Sequence, residues 1–246
     1  MGFVGMSIVD HDSIEAYDEG CLYAADQGLI FLPGVEISAK CRDEPIHVLG
    51  YSFDPHSSIM LEACLTHRRR REVRNQKILD NLAREGLKVA MEEVIARSPI
   101  TTTYGRPHMA LVMVDKGYVP DVASAFRLYL AKGKRCYAEG EKWTVSEAIE
   151  VIHGARGLAV LAHPHLIKAG FPLEQLLSHP FDGIEAYYGT LGPFRHRPWC
   201  EIAQRSSLFV TGGSDFHGSV KPEHPFGSSW APEETLDLLH KHFLSL

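Results

Sequence analysis

The chain lacks the thiol pattern of a disulfide framework or of a thiolate zinc site. Its five cysteines, Cys21, Cys41, Cys64, Cys136 and Cys200, are odd in number, widely scattered and never spaced C-x-x-C. Reduced thiols in a cytoplasmic protein are the plain reading. No apolar run approaches the roughly eighteen residues of a membrane span, so no membrane association is expected. The first residues carry no basic stretch followed by a long apolar core, so no signal peptide is expected either. Internal repeats and low-complexity segments are missing. So is a broad positive field: the formal net charge is −6, and any affinity for phosphate has to be local.

What is there is a chain of 246 residues, 45% hydrophobic and 23% charged, long enough for one large domain or a domain with an insertion. Histidine is the unusual count, at 14, and imidazole is the commonest side-chain metal ligand. Several short apolar runs stop at, or carry, an ionisable residue. GMSIVDHD reaches His11, LIFLPGVEIS carries Glu36 and IHVLGYSF begins beside His47. GLAVLAHPH reaches His163, FDGIEAYY contains Glu185, and LFVTGGSDFH reaches Asp215 and His217. Such runs, bounded by Gly and Pro, read as buried strands.

Helical patterns lie between them. One runs from a cap at Ser13 to about Gln27 with Gly28 as its stop, another from Ser146 to Ala155 capped by Thr144 or Ser146. From roughly Ile59 to Gly140 the signal is mostly helical, with Leu61, Leu65, Ile78, Leu79 and Leu82 apolar and Gly86 as a stop. This predicts a first barrel-like part over 1–58, a helical insertion over 59–140 and a second barrel-like part over 141–246. A (β/α) barrel gathers polar groups at the C-terminal ends of its strands. An α/β barrel is therefore the expected fold class, although a doubly wound sheet would also collect them.

His11, Glu36, His47, His163, Asp215 and His217 form the inventory at those strand ends, with His108 in the insertion. Imidazoles mixed with carboxylates suit Zn, Mn or Fe rather than calcium, which prefers oxygen alone. Asp215 and His217 are alternate residues, so an extended segment would aim both at one ion, with Gly212 and Gly213 allowing close approach. Glu36 or Asp215 is able to bridge two ions, as two-metal hydrolytic sites require. His56, His67, His153, His179, His196, His224 and His240 read as surface or structural. In HRRRREVRNQKIL, Arg70, Arg71 and Arg74 share a helix face. Their guanidinium forks suit phosphate oxygens, and a solvated face is the alternative.

With VDHDSI, LPGVEIS, PIHVLGY, GRPHMA, LAVLAHPH, DGIEAYY and TGGSDFHG in that order between residues 8 and 218, the sequence resembles the PHP (polymerase and histidinol phosphatase) domain proteins. It looks most like the bacterial branch that hydrolyses nucleoside 3′,5′-bisphosphates and trims short RNA from its 5′ end. The resemblance implies a distorted (β/α)7 barrel and a site for two to three divalent ions, usually manganese, with zinc, iron or magnesium across the superfamily. His11, Glu36, His47, His163, Asp215 and His217 match its metal ligands, and His108 matches a position facing the substrate phosphate. Arg71 and Arg74 match an R-x-x-R-like pattern, expected to hold a second phosphate together with Arg106 and His108. Catalysis is expected to turn on Glu36, His163 and His108, the last orienting the phosphate or protonating the leaving group. Glu185 sits in a family motif without an assigned role.

The family begins with a strand carrying His-x-His and then a further aspartate, all metal ligands. No such motif stands before Gly2. A strand with its crossover helix takes roughly thirty residues, and that stretch is expected upstream of Met1, genuine loss being the alternative. Asp10 and Asp12 then read as supporting or capping groups. The expected activity is metal-dependent phosphoester hydrolysis on a small nucleotide or short oligonucleotide, with no stable protein partner. Histidinol phosphate is a further substrate within the same chemistry. A C–N hydrolase with a binuclear barrel site would usually bring a lysine at a strand end, and none of these runs ends on one. A domain that kept the fold as a binding module is the non-enzymatic reading.

Overall fold

A computed structural model describes residues 2–99, 103–189, 191–218 and 221–246. They form two compact units, one of residues 1–64 and 142–246, the other of residues 65–141.

The first unit is a mixed α/β structure. Strand β1 (Gly5–Ser7) leads through helix α1 (Ala16–Asp26) to β2 (Ile30–Leu32), which lies parallel to it. The single run LIFLPGVEIS is divided by Pro33, and β3 (Gly34–Cys41) starts immediately afterwards. It pairs antiparallel with β4 (Glu44–Tyr51) across a tight turn in which Arg42 has φ 55°. Strand–helix alternation is interrupted there. With β5 (Trp143–Thr144), β6 (Leu158–Leu161), β7 (Gly183–Tyr188) and β8 (Phe209–Gly213), these strands form one sheet in the order β5-β3-β4-β6-β7-β8. β4 runs antiparallel to both neighbours, whereas β6, β7 and β8 are parallel.

Period-two alternation gives this sheet two different faces. Val35, Ile37 and Ala39 of β3, Ile46 and Val48 of β4, and Ala159 and Leu161 of β6 point to the larger core. There they meet Val145, Ala148, Ile149 and Ile152 of helix α6 (Val145–Gly154), which recur at helical spacing. The helix starts at Thr144, whose hydroxyl accepts from Glu147 N while Glu147 Oε2 accepts from Thr144 N at 2.7 Å. Of the two cap candidates, Thr144 is the one used. On the other face Leu49, Tyr51 and Val160 pack with Leu32 and with Leu239 of α9 (Glu233–Leu244). Glu36 pairs with Leu49 and Ser38 with His47 in the β3–β4 register, so all four stand on this second face. Its far end is therefore polar. α7 (Leu173–Leu177) and α8 (Pro193–Arg205) complete the unit.

α1 begins three residues after the expected cap. Ser13 Oγ accepts from Glu15 N, and Asp12 just before it stands at φ 56°. Its end is as expected: Gly28, at φ 66°, takes the left-handed position after the last turn.

The second unit holds most of α2 (Ser58–Arg84), α3 (Met91–Arg97), α4 (Arg106–Asp115) and α5 (Val122–Ala125), followed by a π-helical turn over Phe126–Leu130. Ile78, Leu79 and Leu82 of α2 and Met109, Ala110, Val112 and Met113 of α4 make its core. Leu61 and Leu65 are instead exposed, since the first turns of α2 bury Met60 and Ala63. Among the described residues no helix is long and apolar enough to cross a membrane.

Candidate metal centre

The polar end of the sheet is built around one carboxylate. Glu36 is 4% exposed, and three imidazoles surround its oxygens. His47 Nδ1 lies 2.6 Å from Oε1, His163 Nε2 3.1 Å from Oε1 and His11 Nδ1 3.3 Å from Oε2. His47 Nδ1 and His163 Nε2 are themselves 3.1 Å apart. One ligand atom each from His11, Glu36 and His47 falls within 4.8 Å of the others. Burial by itself would push the Glu36 carboxyl up. His11 and His47 beside it, with hydrogen bonds from His163 and His47, hold it well below the usual carboxylate range. His163 is shifted upward: its burial works against the charge, and Glu36, Glu185 and Asp215 outweigh that.

Each ligand arrives by a different route. His47 is placed by strand register alone. His11 is not at the end of a continuous strand as expected: β1 stops at Ser7, and His11 pairs with Glu36 through an isolated parallel bridge. Asp12 secures that bridge, donating its backbone N–H to Glu36 O and accepting from Ser38 N at 2.7 Å and Ser38 Oγ at 3.0 Å. His163 follows β6 at φ 26° and ψ 58°. Asp215 follows β8 at φ 49°, so Asp215 and His217 do not alternate along an extended segment. His217 Nδ1 instead donates to the Asp215 carbonyl at 2.7 Å, which leaves Nε2 with its lone pair, and its ring lies 5.9 Å from that of His11. Asp12, His163 and Asp215 are thus all left-handed non-glycine residues, each costing about 1–3 kcal/mol. Close approach is made by Gly212, where a Cβ would stand 2.5 Å from Tyr187 Cβ; at Gly213 there is ordinary room.

The structure therefore brings His11, Glu36, His47 and His163 into direct contact and sets His217 beside His11. Asp215 joins through a second set that sequence reasoning missed. Tyr188 Oη donates to Asp215 Oδ2 at 2.6 Å, Lys221 Nζ lies 3.1 Å from the same oxygen, and His224 Nδ1 lies 3.7 Å from it. Tyr188 is 1% exposed, its ring between His165 at 4.2 Å and His224 at 5.5 Å. Strict alternation along FDGIEAYY would turn Tyr188 away from Glu185, and a register shift between Glu185 and Tyr187 undoes that. His224, expected at the surface or in a structural place, stands against a ligand candidate. Asp10 lies beside His217, and burial raises its pKa.

Glu185 lies on the same face and is 6% exposed. Its Oε2 accepts from the backbone N of His163 at 2.7 Å. Burial pushes its carboxyl up to about 7, with Glu36 and Asp215 adding to the rise and His163 opposing it.

Three imidazoles converging on one buried carboxylate make a donor set rich in lone pairs, and neutral histidine with carboxylate suits a divalent transition ion. The residues present fit such a group.

The remaining candidates lie in the second unit and group there. The guanidinium nitrogens of Arg74 and Arg71 stand 3.6 and 3.7 Å from where a Cβ on Gly105 would be. Gly105 donates its N–H to His108 Nδ1 at 3.1 Å, so the neutral ring carries its proton on Nε2. Burial, and then Arg71, hold the His108 imidazole below its ordinary value. Arg106 is differently engaged: it donates to Leu130 O at 3.1 Å, and its guanidinium stands over Tyr137 at 5.2 Å and Phe126 at 5.8 Å. Arg70 lies 3.3 Å from Glu141.

A mixed α/β sheet carrying histidines and carboxylates at one end defines a metal-hydrolase type of site. No protein-family model matches the chain. It is 31% identical over 222 residues to the 5′-3′ exoribonuclease Rnm of Escherichia coli K12, covering 86% of this chain and 74% of that protein. It is 29% identical over 217 residues to a 3′,5′-nucleoside bisphosphate phosphatase of Chromobacterium violaceum, covering 86% and 76%. Its structure matches, at TM-score 0.86 and 27% identity, that of a Bifidobacterium adolescentis protein provisionally described as a metal-dependent phosphoesterase, over 98% of this chain and 86% of that one. The chain belongs to the PHP family, in the branch of these bisphosphate phosphatases and exoribonucleases.

Proposed function

We propose that the protein is a metal-dependent phosphoesterase that releases phosphate from nucleoside 3′,5′-bisphosphates and trims short RNA from its 5′ end. The observation that carries this reading is the buried Glu36 carboxylate with His11, His47 and His163 around it. Kinship with a bisphosphate phosphatase and with an exoribonuclease supports the substrate class. His11, Glu36, His47, His163, Asp215 and His217 would hold two to three divalent ions, manganese first among them. Such ions supply Lewis-acid neutralisation of the phosphoryl charge and a water of lowered pKa.

The chain's own residues do the rest. Glu36 keeps its charge at neutral pH and, with its two oxygens facing different imidazoles, is suited to sit between ions. His163 and His47 orient it from one side and His11 from the other. Arg71 and Arg74 bind a substrate phosphate through their forks. His108, with its proton on Nε2, donates to a phosphate oxygen or to the leaving oxygen. Arg106 belongs to the same group, with its ring contacts fixing where the guanidinium stands. The segment 59–140 would serve as a substrate cap between barrel parts 1–58 and 141–246. The isolated parallel bridge from His11, just beyond β1, to Glu36 of β3 supports a distorted (β/α)7 barrel. A cytoplasmic setting suits five cysteines held as thiols.

The test is phosphate release from adenosine 3′,5′-bisphosphate, mononucleotide release from 5′-phosphorylated short RNA and phosphate release from histidinol phosphate, with metal analysis of the same sample. Release from the first two with bound divalent metal is expected. Turnover of histidinol phosphate alone, or none of the three with no metal bound, contradicts the reading.

A further inference from the structure

Glu185 is a buried carboxyl to which neither the ligand set nor the substrate cluster gives a task. Its position is unusual in what it touches. Oε2 meets not a side chain but the backbone N–H of His163, at 2.7 Å, from the neighbouring parallel strand. That residue is in a conformation a histidine seldom adopts, φ 26° and ψ 58°. The following Pro164 disfavours the right-handed helical alternative, so His163 would otherwise relax toward extended backbone. Relaxation would rotate the Cα–Cβ bond and carry the ring away from Glu36 Oε1 and His47 Nδ1, each now 3.1 Å from its Nε2.

We propose that Glu185 is a positioning residue: by accepting the His163 backbone N–H it holds His163 in the left-handed conformation that aims its ring at Glu36 and His47. The proposal rests on reading those three residues as a metal centre. The interaction needs an acceptor and not a charge. In either protonation state the carboxyl presents an oxygen to the N–H. Glutamine offers that same oxygen with the same shape, whereas leucine fills the space and accepts nothing. Leucine leaves the His163 N–H without this acceptor, at the desolvation cost of an unpaired donor, and circular dichroism of both variants checks that the fold is kept.

The experiment is calorimetric titration of metal-free wild type, Glu185→Gln and Glu185→Leu with manganese chloride, alongside amide hydrogen exchange of His163 in metal-free wild type and Glu185→Leu. Orienting residues of this kind typically govern metal affinity by about ten- to a hundredfold. Leucine should weaken manganese binding within that range, glutamine should stay within about threefold of wild type, and the His163 amide should exchange slowly. Equal affinity in wild type and Glu185→Leu, or an equal loss in both variants, overturns the positioning role. So does rapid exchange of the His163 amide in the wild type, a result that needs no variant to fold. If the wild type itself binds no manganese, the metal-centre reading fails instead, and His163 amide exchange compared between wild type and Glu185→Leu still reports whether Glu185 fixes the backbone.

Discussion

The polar end of the sheet and the start of α4 are opposite kinds of site. The first is a convergence of metal-ligand atoms: nitrogens of His11, His47 and His163 surround the Glu36 carboxylate, where a divalent ion would take the place of the imidazole protons. The second is a convergence of donors: Arg71 and Arg74 meet at Gly105, beside a histidine whose free proton is on Nε2. Each is poorly matched to the ligand of the other. The contrast also shows in how their histidines titrate. Carboxylates around His163 raise it, and burial with Arg71 lowers His108. A phosphoester substrate with divalent metal needs both chemistries, and the protein keeps them in separate units.

The largest effect should come from removing the centre of the first site. Glu36→Gln should abolish manganese binding, beyond the roughly hundredfold loss expected for a residue that only orients a ligand. Inorganic phosphate binding to the same variant, followed by calorimetry, should be unchanged. Loss of both would break the separation of the two chemistries.

Arg74→Ala addresses the other side. Charge-assisted hydrogen bonds contribute about 1.5–3 kcal/mol, or roughly a ten- to hundredfold change. The KM for adenosine 3′,5′-bisphosphate should rise by that factor, much more than the KM for the corresponding monophosphate, with manganese affinity intact. An equal rise for both substrates would remove Arg74 from the second phosphate.

His108 makes the comparison sensitive to pH. Because its folded-state pKa is depressed, the folded protein binds a proton less readily than the unfolded chain does. The resulting penalty is absent above the ordinary imidazole value of about 6.5 and grows as pH falls below it. Thermal melts of wild type should therefore lose ground to His108→Gln as pH is lowered from about 7.5 to 5. Phosphate should raise the His108 midpoint seen by NMR. A midpoint above the ordinary value in the free protein would contradict the assignment.

The smallest effect serves as a control. Thr144→Ala removes the α6 cap and should cost about 1 kcal/mol in denaturant unfolding, leaving manganese affinity and both KM values unchanged.

Much of this was legible in the residues, and the gaps have identifiable causes. His11, Glu36, His47 and His163 each sit beside an apolar run, and periodicity is a signal a sequence carries openly. The α6 cap was legible to within two candidates, Thr144 and Ser146, of which the structure uses Thr144. What could not be read was anything set by left-handed backbone. Asp215 and His217 looked like alternate residues of a strand, but φ 49° at Asp215 puts the histidine in contact with its carbonyl. Tyr188 stayed hidden because a register shift changes its face. His224 comes from a loop beyond β8, and its place against Asp215 is a long-range contact with no periodic trace. The β3–β4 turn, which breaks strand–helix alternation, has neither glycine nor asparagine to announce it.

The most direct test of the central claim is manganese titration of metal-stripped wild type and Glu36→Gln, with phosphate release from adenosine 3′,5′-bisphosphate measured at each point. Release from wild type should start from none, rise with manganese and saturate with its binding, while the variant stays silent throughout. Undiminished release from the stripped wild type, or release from Glu36→Gln at the wild-type rate, would contradict the account.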